Sequence, residues 1–125
     1  MAIGSSAMCG TFKKEILAGI HFLTAHTRTG SSAISADTLK VAMFTNSSSI
    51  DADTTGYTTS NEVSGTNYSA GGAALSSVTI GLGDNSSSVP TAFVDFADTT
   101  FSSSTISSAR GALIYNSTLS SAGTG

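Results

Sequence analysis

The chain lacks tryptophan, has one proline and one cysteine, and carries few charges. Its 125 residues include five basic and eight acidic side chains, for a formal net charge of -3. The basic residues are scattered and form no stripe that could neutralise phosphates, so we expect no nucleic-acid partner. Because Cys9 is alone, an intrachain disulfide and a zinc site framed by cysteines are both excluded.

Long apolar runs are also missing. No segment approaches the roughly 20 apolar residues that a membrane-spanning helix needs, so we expect no membrane partner. What the chain has instead is hydroxyl groups, since 42 of its residues are Ser or Thr. These side chains suit pleated strands and tight turns, and they lose little rotamer entropy when they pack against another surface. The composition favours an assembled, β-rich part over a catalyst.

The length is that of a single domain over residues 1–125. We predict an N-terminal arm over 1–10, a helix over 11–26, a β-sandwich over 37–116 and a flexible tail over 117–125. In the helix, apolar residues recur at spacings of four, four and three, as an amphipathic helix requires. They are Phe12, Ile16, Ile20 and Leu23.

Two further residues are assigned from this helical pattern. Thr11 is the expected N-cap, because its hydroxyl can accept a hydrogen bond from a free backbone N–H of the first turn. His21 lies on the flank of the predicted helix, away from the apolar face, and we expect it to be a surface or interface residue.

Alternating side chains predict the strands. They lie over 39–45, which we expect to be buried on both faces, over 92–97 and over 109–115. Phe101 and Ile106 are expected on a shorter strand between the last two. Another strand places Val78, Ile80 and Leu82 on one face, which we expect to be buried. Turns at regular intervals favour a mainly β fold, a small antiparallel β-sandwich with one N-terminal α-helix.

One loop has the spacing of a calcium site. Asp51, Asp53, Thr55 and Glu62 occupy positions 1, 3, 5 and 12, with Gly56 at position 6. Thr55 is a weak ligand, and no helical pattern flanks the loop on either side. We therefore expect a solvated loop, with no metal and no cofactor.

Catalytic patterns are weak. His21 and His26 are the only histidines, and serine is so abundant that pairing a Ser with a His and an Asp carries almost no information. The chain contains no Gly-x-Ser-x-Gly nucleophile elbow. We expect a protein that is not an enzyme.

Several segments taken together resemble a family of small virion structural proteins of tailed bacteriophages. The resemblance runs in order over most of the chain and implies a role in the particle rather than a reaction. It is carried by Phe12-Lys13, Gly19-Ile20-His21, Asp37–Phe44, Asn61–Gly72, Asp95–Asp98 and Ala109–Asn116.

The resemblance implies localisation in the virion, and as partners other copies of the chain and other virion proteins, above all the major capsid protein. The function expected first is a capsid decoration or cement protein that stabilises the shell. The alternatives are a tail or fibre-associated subunit and a module that binds the host surface or a glycan. Members of the family continue past the position of Asn116 through another apolar strand, whereas this chain passes into a Ser/Gly tail. Either the fold closes differently or the chain is incomplete, and a sheet edge left unpaired can template a neighbouring chain.

Tyr57 and Tyr68 are the interface candidates, with packing in the core or a turn as the alternative for both. We expect Tyr57→Ala to spare folding and to weaken association. Replacing Val78 or Ile80 by Asp is expected to abolish folding, because the predicted buried face would then hold an unpaired charge. The front helix and the loop over 30–36 are expected to help anchor the protein.

Overall fold

The computed structural model describes residues 7–27, 30, 32–83 and 91–119. Most of the predicted N-terminal arm and the end of the predicted tail, residues 1–6 and 120–125, lie outside the described residues, as does residue 31 of the expected anchoring loop. The described residues form α1 (Gly10–Leu17), β1 (His26–Thr27), β2 (Ala33–Ile34), β3 (Leu39–Thr45), β4 (Gly65–Thr66), β5 (Ala73–Ala74), β6 (Thr79–Gly83), β7 (Thr91–Asp95), β8 (Thr105–Ile106) and β9 (Ala109–Asn116).

An antiparallel sheet with the strand order β5-β3-β9 carries the core. β3 and β9 pair along the whole of β3, with a register shift beside Thr45. Because successive side chains of a strand point to opposite faces, alternate residues of both strands meet on one face. The buried cluster on that face consists of Ala42, Phe44, Leu113 and Tyr115.

The predictions for these two strands are confirmed. β3 spans the predicted range of 39–45, and it is buried or half-buried at every position. β9 extends the predicted range by one residue, Asn116. An apolar run with β-branched residues and no Gly or Pro leaves few alternatives to a central strand, which explains why β3 could be located from its sequence.

The other described strands form three two-stranded antiparallel sheets, β1-β2, β4-β8 and β6-β7. Of the two residues expected on a shorter strand, Ile106 lies on β8 and Phe101 lies outside it, and the strand expected over 92–97 is β7. The predicted fold class, mainly β with antiparallel sheets and one N-terminal helix, is confirmed.

The predicted helix over 11–26 is wrong in its extent, because α1 ends at Leu17. Gly19 adopts a positive φ of 69°. The N–H of Gly19 donates to Ile16 O and the N–H of Ile20 donates to Glu15 O. These two bonds form a Schellman motif, which satisfies the last carbonyl groups and turns the chain away. The N-cap is Cys9 and not Thr11. Across the described residues, no helix has the length and apolar content needed to span a bilayer.

The expected burial of the β6 face is also wrong. Ile80 is 50% exposed and Leu82 is 71% exposed. Alternation shows correctly that these residues share a face, but it contains no information on which element covers that face. The premise that Asp at position 80 would be buried therefore fails, whereas Val78 is half-buried.

Candidate functional site

The β6-β7 hairpin presents an apolar face. Ile80 lies opposite Val94, and Leu82 lies opposite Ala92, so all four side chains share one side of the hairpin. Every residue of β7 is exposed. An isolated two-stranded hairpin is only marginally stable in water, and exposed apolar patches mark interaction sites. We call this face, which consists of Ile80, Leu82, Ala92 and Val94, the hairpin face.

A groove of about 860 Å³ lies next to the hairpin. It is lined by the consecutive residues 110–115 of β9, by Val94 and Phe96, and by Phe12 and Leu39 among others. We call it the β9 groove. Its volume is in the range of ligand-binding clefts in proteins.

A second constellation is built around the Glu62 carboxylate, which is held by three donors. Tyr57 donates its hydroxyl to Oε2 over 2.5 Å, and Tyr68 donates to Oε1 over 2.7 Å. The N–H of Gly71 also donates to Oε1, over 2.8 Å. Hydrogen bonds to an ionised group are about twice as strong as neutral ones. The carboxylate therefore ties the loop that contains Tyr57 to the turn at 68–71. We call this constellation the Glu62 cluster.

The Glu62 cluster is joined to the central sheet. The hydroxyl of Tyr68 accepts a hydrogen bond from the N–H of Met43 over 2.9 Å. Tyr115 donates its hydroxyl to Gly71 O over 2.9 Å, and its ring stacks on Tyr57 with centroids 4.5 Å apart. β3, β9 and both loops thus share one set of hydrogen bonds and stacked rings.

Burial, together with the bond to Glu62, raises the pKa of Tyr68 to about 12. The same two causes, in the same order, raise the pKa of Tyr57 well above its usual value. Burial and the nearby Glu62 charge also raise the pKa of Tyr115. The phenols consequently stay protonated and act as donors at neutral pH.

The interface candidates Tyr57 and Tyr68 are both half-buried, and their hydroxyl groups are bound within the chain. Contact with a partner would have to use the exposed part of their rings. Tyr57 also contributes to packing, because it lies against the core cluster. Tyr57→Ala would therefore remove an internal stack and a donor to Glu62, so we expect it to lower the stability of the fold as well.

The structure does not bring the residues of the calcium-like loop together. Asp51 Oδ1 accepts from the N–H of Asp53, and Thr54 Oγ1 accepts from the N–H of Asp51, as in a self-bonded turn. Glu62 binds the tyrosines instead. No group of three or more His, Cys, Asp or Glu within the described ranges is placed to hold a metal ion. Thr55 is exposed.

His21 is buried rather than on the surface, which corrects the sequence-based assignment. Its Nε2 lies 2.8 Å from Glu15 Oε2, and its Nδ1 lies 2.9 Å from Asn116 Nδ2. Asn116 also donates from Nδ2 to Asp37 Oδ2 over 2.6 Å. Phe12 packs on the imidazole, with ring centroids 4.7 Å apart. We call His21, Glu15, Asn116 and Asp37 the His21 cluster.

The hydrogen bonds define the protonation pattern of the His21 cluster. Asn116 Oδ1 accepts from the N–H of Thr118, so its Nδ2 must face Asp37 and His21. An amide nitrogen only donates, hence Nδ1 of His21 accepts and Nε2 carries the proton that is donated to Glu15. Both ring nitrogens are thus engaged within the chain. The imidazole connects α1 to the end of β9, and Asn116 connects both to the residue 37 loop.

Comparison of the chain with protein-family models, curated proteins and solved structures found no match. The sequence analysis missed the His21 cluster and assigned Glu62 to a different role. The Gly19 signal for a helix end would have placed His21 beyond the helix, on a segment able to fold back. Nothing in the sequence indicates its pairing with Asn116, because the two residues are 95 positions apart.

Proposed function

We propose that the chain is a virion structural protein of a tailed bacteriophage, and that it decorates the capsid as a cement protein. The observation that carries the proposal is the exposed hairpin face, which a β-rich subunit would cover by binding a neighbour. Repeated contacts of about 800 Å² per partner over a symmetric shell would add up to substantial stabilisation. The resemblance of the sequence to virion proteins supports the same role.

The polar constellations support binding rather than a reaction. The Glu62 and His21 clusters use their donors and acceptors within the chain, and both connect elements of the fold. Removing charged groups from water costs the most free energy, and this chain has few of them. The cost of desolvating an interface is therefore small. Such a surface suits close packing against other virion proteins.

The test is sedimentation of the purified chain with shells that lack it, taken from the phage whose genome encodes it. We expect the chain to sediment with the shells in a saturable manner and to raise their melting temperature. Quantitative mass analysis of intact particles should find hundreds of copies. A copy number that is a small multiple of the tail symmetry would instead assign the chain to the tail, and a folded chain that binds neither shells nor tails would contradict the proposal. A glycan array tests the remaining alternative.

A further inference from the structure

We propose that the outer edge of β9 is a strand-addition site, and that it binds an extended apolar strand of another polypeptide with a carboxylate near its C-terminal end. The strand would lie in the β9 groove, pair with β9 in the antiparallel sense and place apolar side chains against both walls.

The backbone N–H and C=O groups of β3 show which of its residues bond to β9. Leu75 N–H donates to Leu39 O, and Val63 N–H donates to Met43 O, so these positions face away from β9. In an antiparallel ladder alternate residues bond to opposite sides, so Lys40, Ala42 and Phe44 bond to β9. The bond from the N–H of Ser117 to Thr38 O continues the same series.

The register between β3 and β9 identifies the backbone groups of β9 that point away from β3. The partners of Lys40, Ala42 and Phe44 are Tyr115, Leu113 and Gly111, whose backbone groups therefore face β3. Ala112 and Ile114 lie between them in the chain, so their N–H and C=O groups point away from β3. β9 is the last strand of this sheet among the described residues. The outward groups are a ready template for another strand.

Apolar side chains line both walls of the groove, so we expect the added strand to be apolar on both of its faces. The groove is lined by Leu113 and Tyr115, from the core face of β9, and also by Ala112 and Ile114, from the other face. A cavity that touches consecutive residues on both faces must run along the edge of the strand. A strand placed there would be covered on both sides, and such strands are apolar nearly throughout.

A positive charge at one end of the groove indicates that the added strand carries a carboxylate. Three charged residues line the groove, and two of them are bound internally: Glu15 contacts His21, and Asp51 accepts from the N–H of Asp53. Arg110 is exposed, and no hydrogen bond or ion pair engages it within the described part of the chain. It lies near the start of β9. Because every described strand pair is antiparallel, a carboxylate close to the C-terminal end of the added strand would meet it.

Strand addition goes beyond the proposed shell binding and does not depend on it. Ile80, Leu82 and Ala92 of the hairpin face do not line the β9 groove, and Val94 is the residue that the two surfaces share. A peptide assay on the isolated chain therefore tests this site alone.

The probe is a fluorescent peptide of the same length as β9, eight residues, built of valine and isoleucine with aspartate at its C-terminal end. We expect saturable binding to the full chain by fluorescence anisotropy. A peptide with proline at its centre should bind about ten-fold more weakly, because proline removes a donor and fits poorly into a strand. A peptide that ends in lysine should bind about five-fold more weakly because Arg110 repels it.

Two pairs of variants locate the site. Ala112→Pro removes an outward N–H and should weaken peptide binding about ten-fold, whereas it leaves the hydrogen bonds to β3 in place. Ala74→Pro is the matched control, because Ala74 lies opposite Lys40 and its N–H also points away from β3, but far from the groove lining. Arg110→Glu, which alters no backbone group, should reverse the preference between the aspartate and lysine peptides.

Several results would overturn the proposal. They are the absence of saturable binding, equal binding of the proline peptide, and equal binding by the Ala112→Pro and Ala74→Pro variants. Self-association of the chain that excludes the peptide and is lost in Ala112→Pro would also overturn it, since the occupant would then be a second copy of the chain. If Ala112→Pro does not fold, the charge reversal by Arg110→Glu decides the outcome.

Discussion

At the scale of single residues, the Glu62 side chain accepts hydrogen bonds from three different residues. Glu62→Gln replaces a carboxylate that accepts three hydrogen bonds by an amide with one accepting oxygen. We expect the free energy of unfolding to fall by about 2 kcal/mol. Urea unfolding followed by circular dichroism measures this change. Asp53→Asn, which neutralises an exposed carboxylate of the same calcium-like loop, is the control and should change stability by less than about 0.5 kcal/mol.

The tyrosines of the Glu62 cluster predict a loss of stability in alkali. The pKa of Tyr68 is raised from an ordinary value of 10.0 to about 12 in the folded chain. Between these values the unfolded chain binds fewer protons than the folded chain, so stability decreases as pH rises. We expect a plateau below pH 10 and a decline above it in the free energy of unfolding. Tyr68→Phe should lower the plateau and reduce the steepness of the decline. An equal decline in that variant would contradict this assignment.

At the scale of elements, the His21 cluster attaches α1 and the residue 37 loop to the end of β9. Asn116→Asp places a carboxylate against Asp37 where an amide donated before. We expect a loss of about 3 kcal/mol in unfolding free energy and faster amide hydrogen exchange in α1.

A second substitution tests this explanation. Asp37→Asn in the Asn116→Asp background exchanges donor and acceptor between the two side chains, at the cost of the bond from the N–H of Phe22, because that N–H donates to the same oxygen of Asp37 as Asn116 does. The double variant should recover part of the lost stability, which a double-mutant cycle measures. If the two losses simply add, the contact between these side chains does not explain the effect.

The elements also show how far the sequence could predict this fold. β3 and β9 were located because alternation and apolar runs are local signals. The helix was predicted too long because the apolar spacing continues past Gly19, while the Schellman motif ends α1. Glu62 was noted for calcium-like spacing, but its binding to the tyrosines depends on how the loop folds over β3. The His21 cluster depends on long-range contacts, which leave no local pattern.

At the scale of the whole molecule, exposed large apolar residues lie on or near α1, on the hairpin and on β9. Ile80 and Leu82 lie together on the hairpin face, while Ile114 lies on β9 beside the groove. The chain has few charges with which to keep such surfaces apart in solution. Two surfaces are therefore available for assembly, a face of the hairpin and an edge of the central sheet, and Val94 belongs to both. Ile80 and Leu82 do not line the groove, so variants at these two positions should leave the edge of the central sheet intact.

The hairpin face gives the last prediction. Leu82→Asp and Ile80→Asp place a charge at positions that are 71% and 50% exposed, so we expect the chain to remain folded, with a small change in melting temperature. Sedimentation should show weaker binding to shells for both variants, because the charge must lose water when the face is covered. Thr91→Asp adds the same charge on the opposite face of the hairpin, where Thr91 is exposed and lies opposite Gly83, and is the matched control. If all three variants bind shells equally, the hairpin face is not the surface that holds this protein to the particle. If Ile80→Asp unfolds the chain, Ile80 is needed for folding and does not belong to a surface that is free to bind.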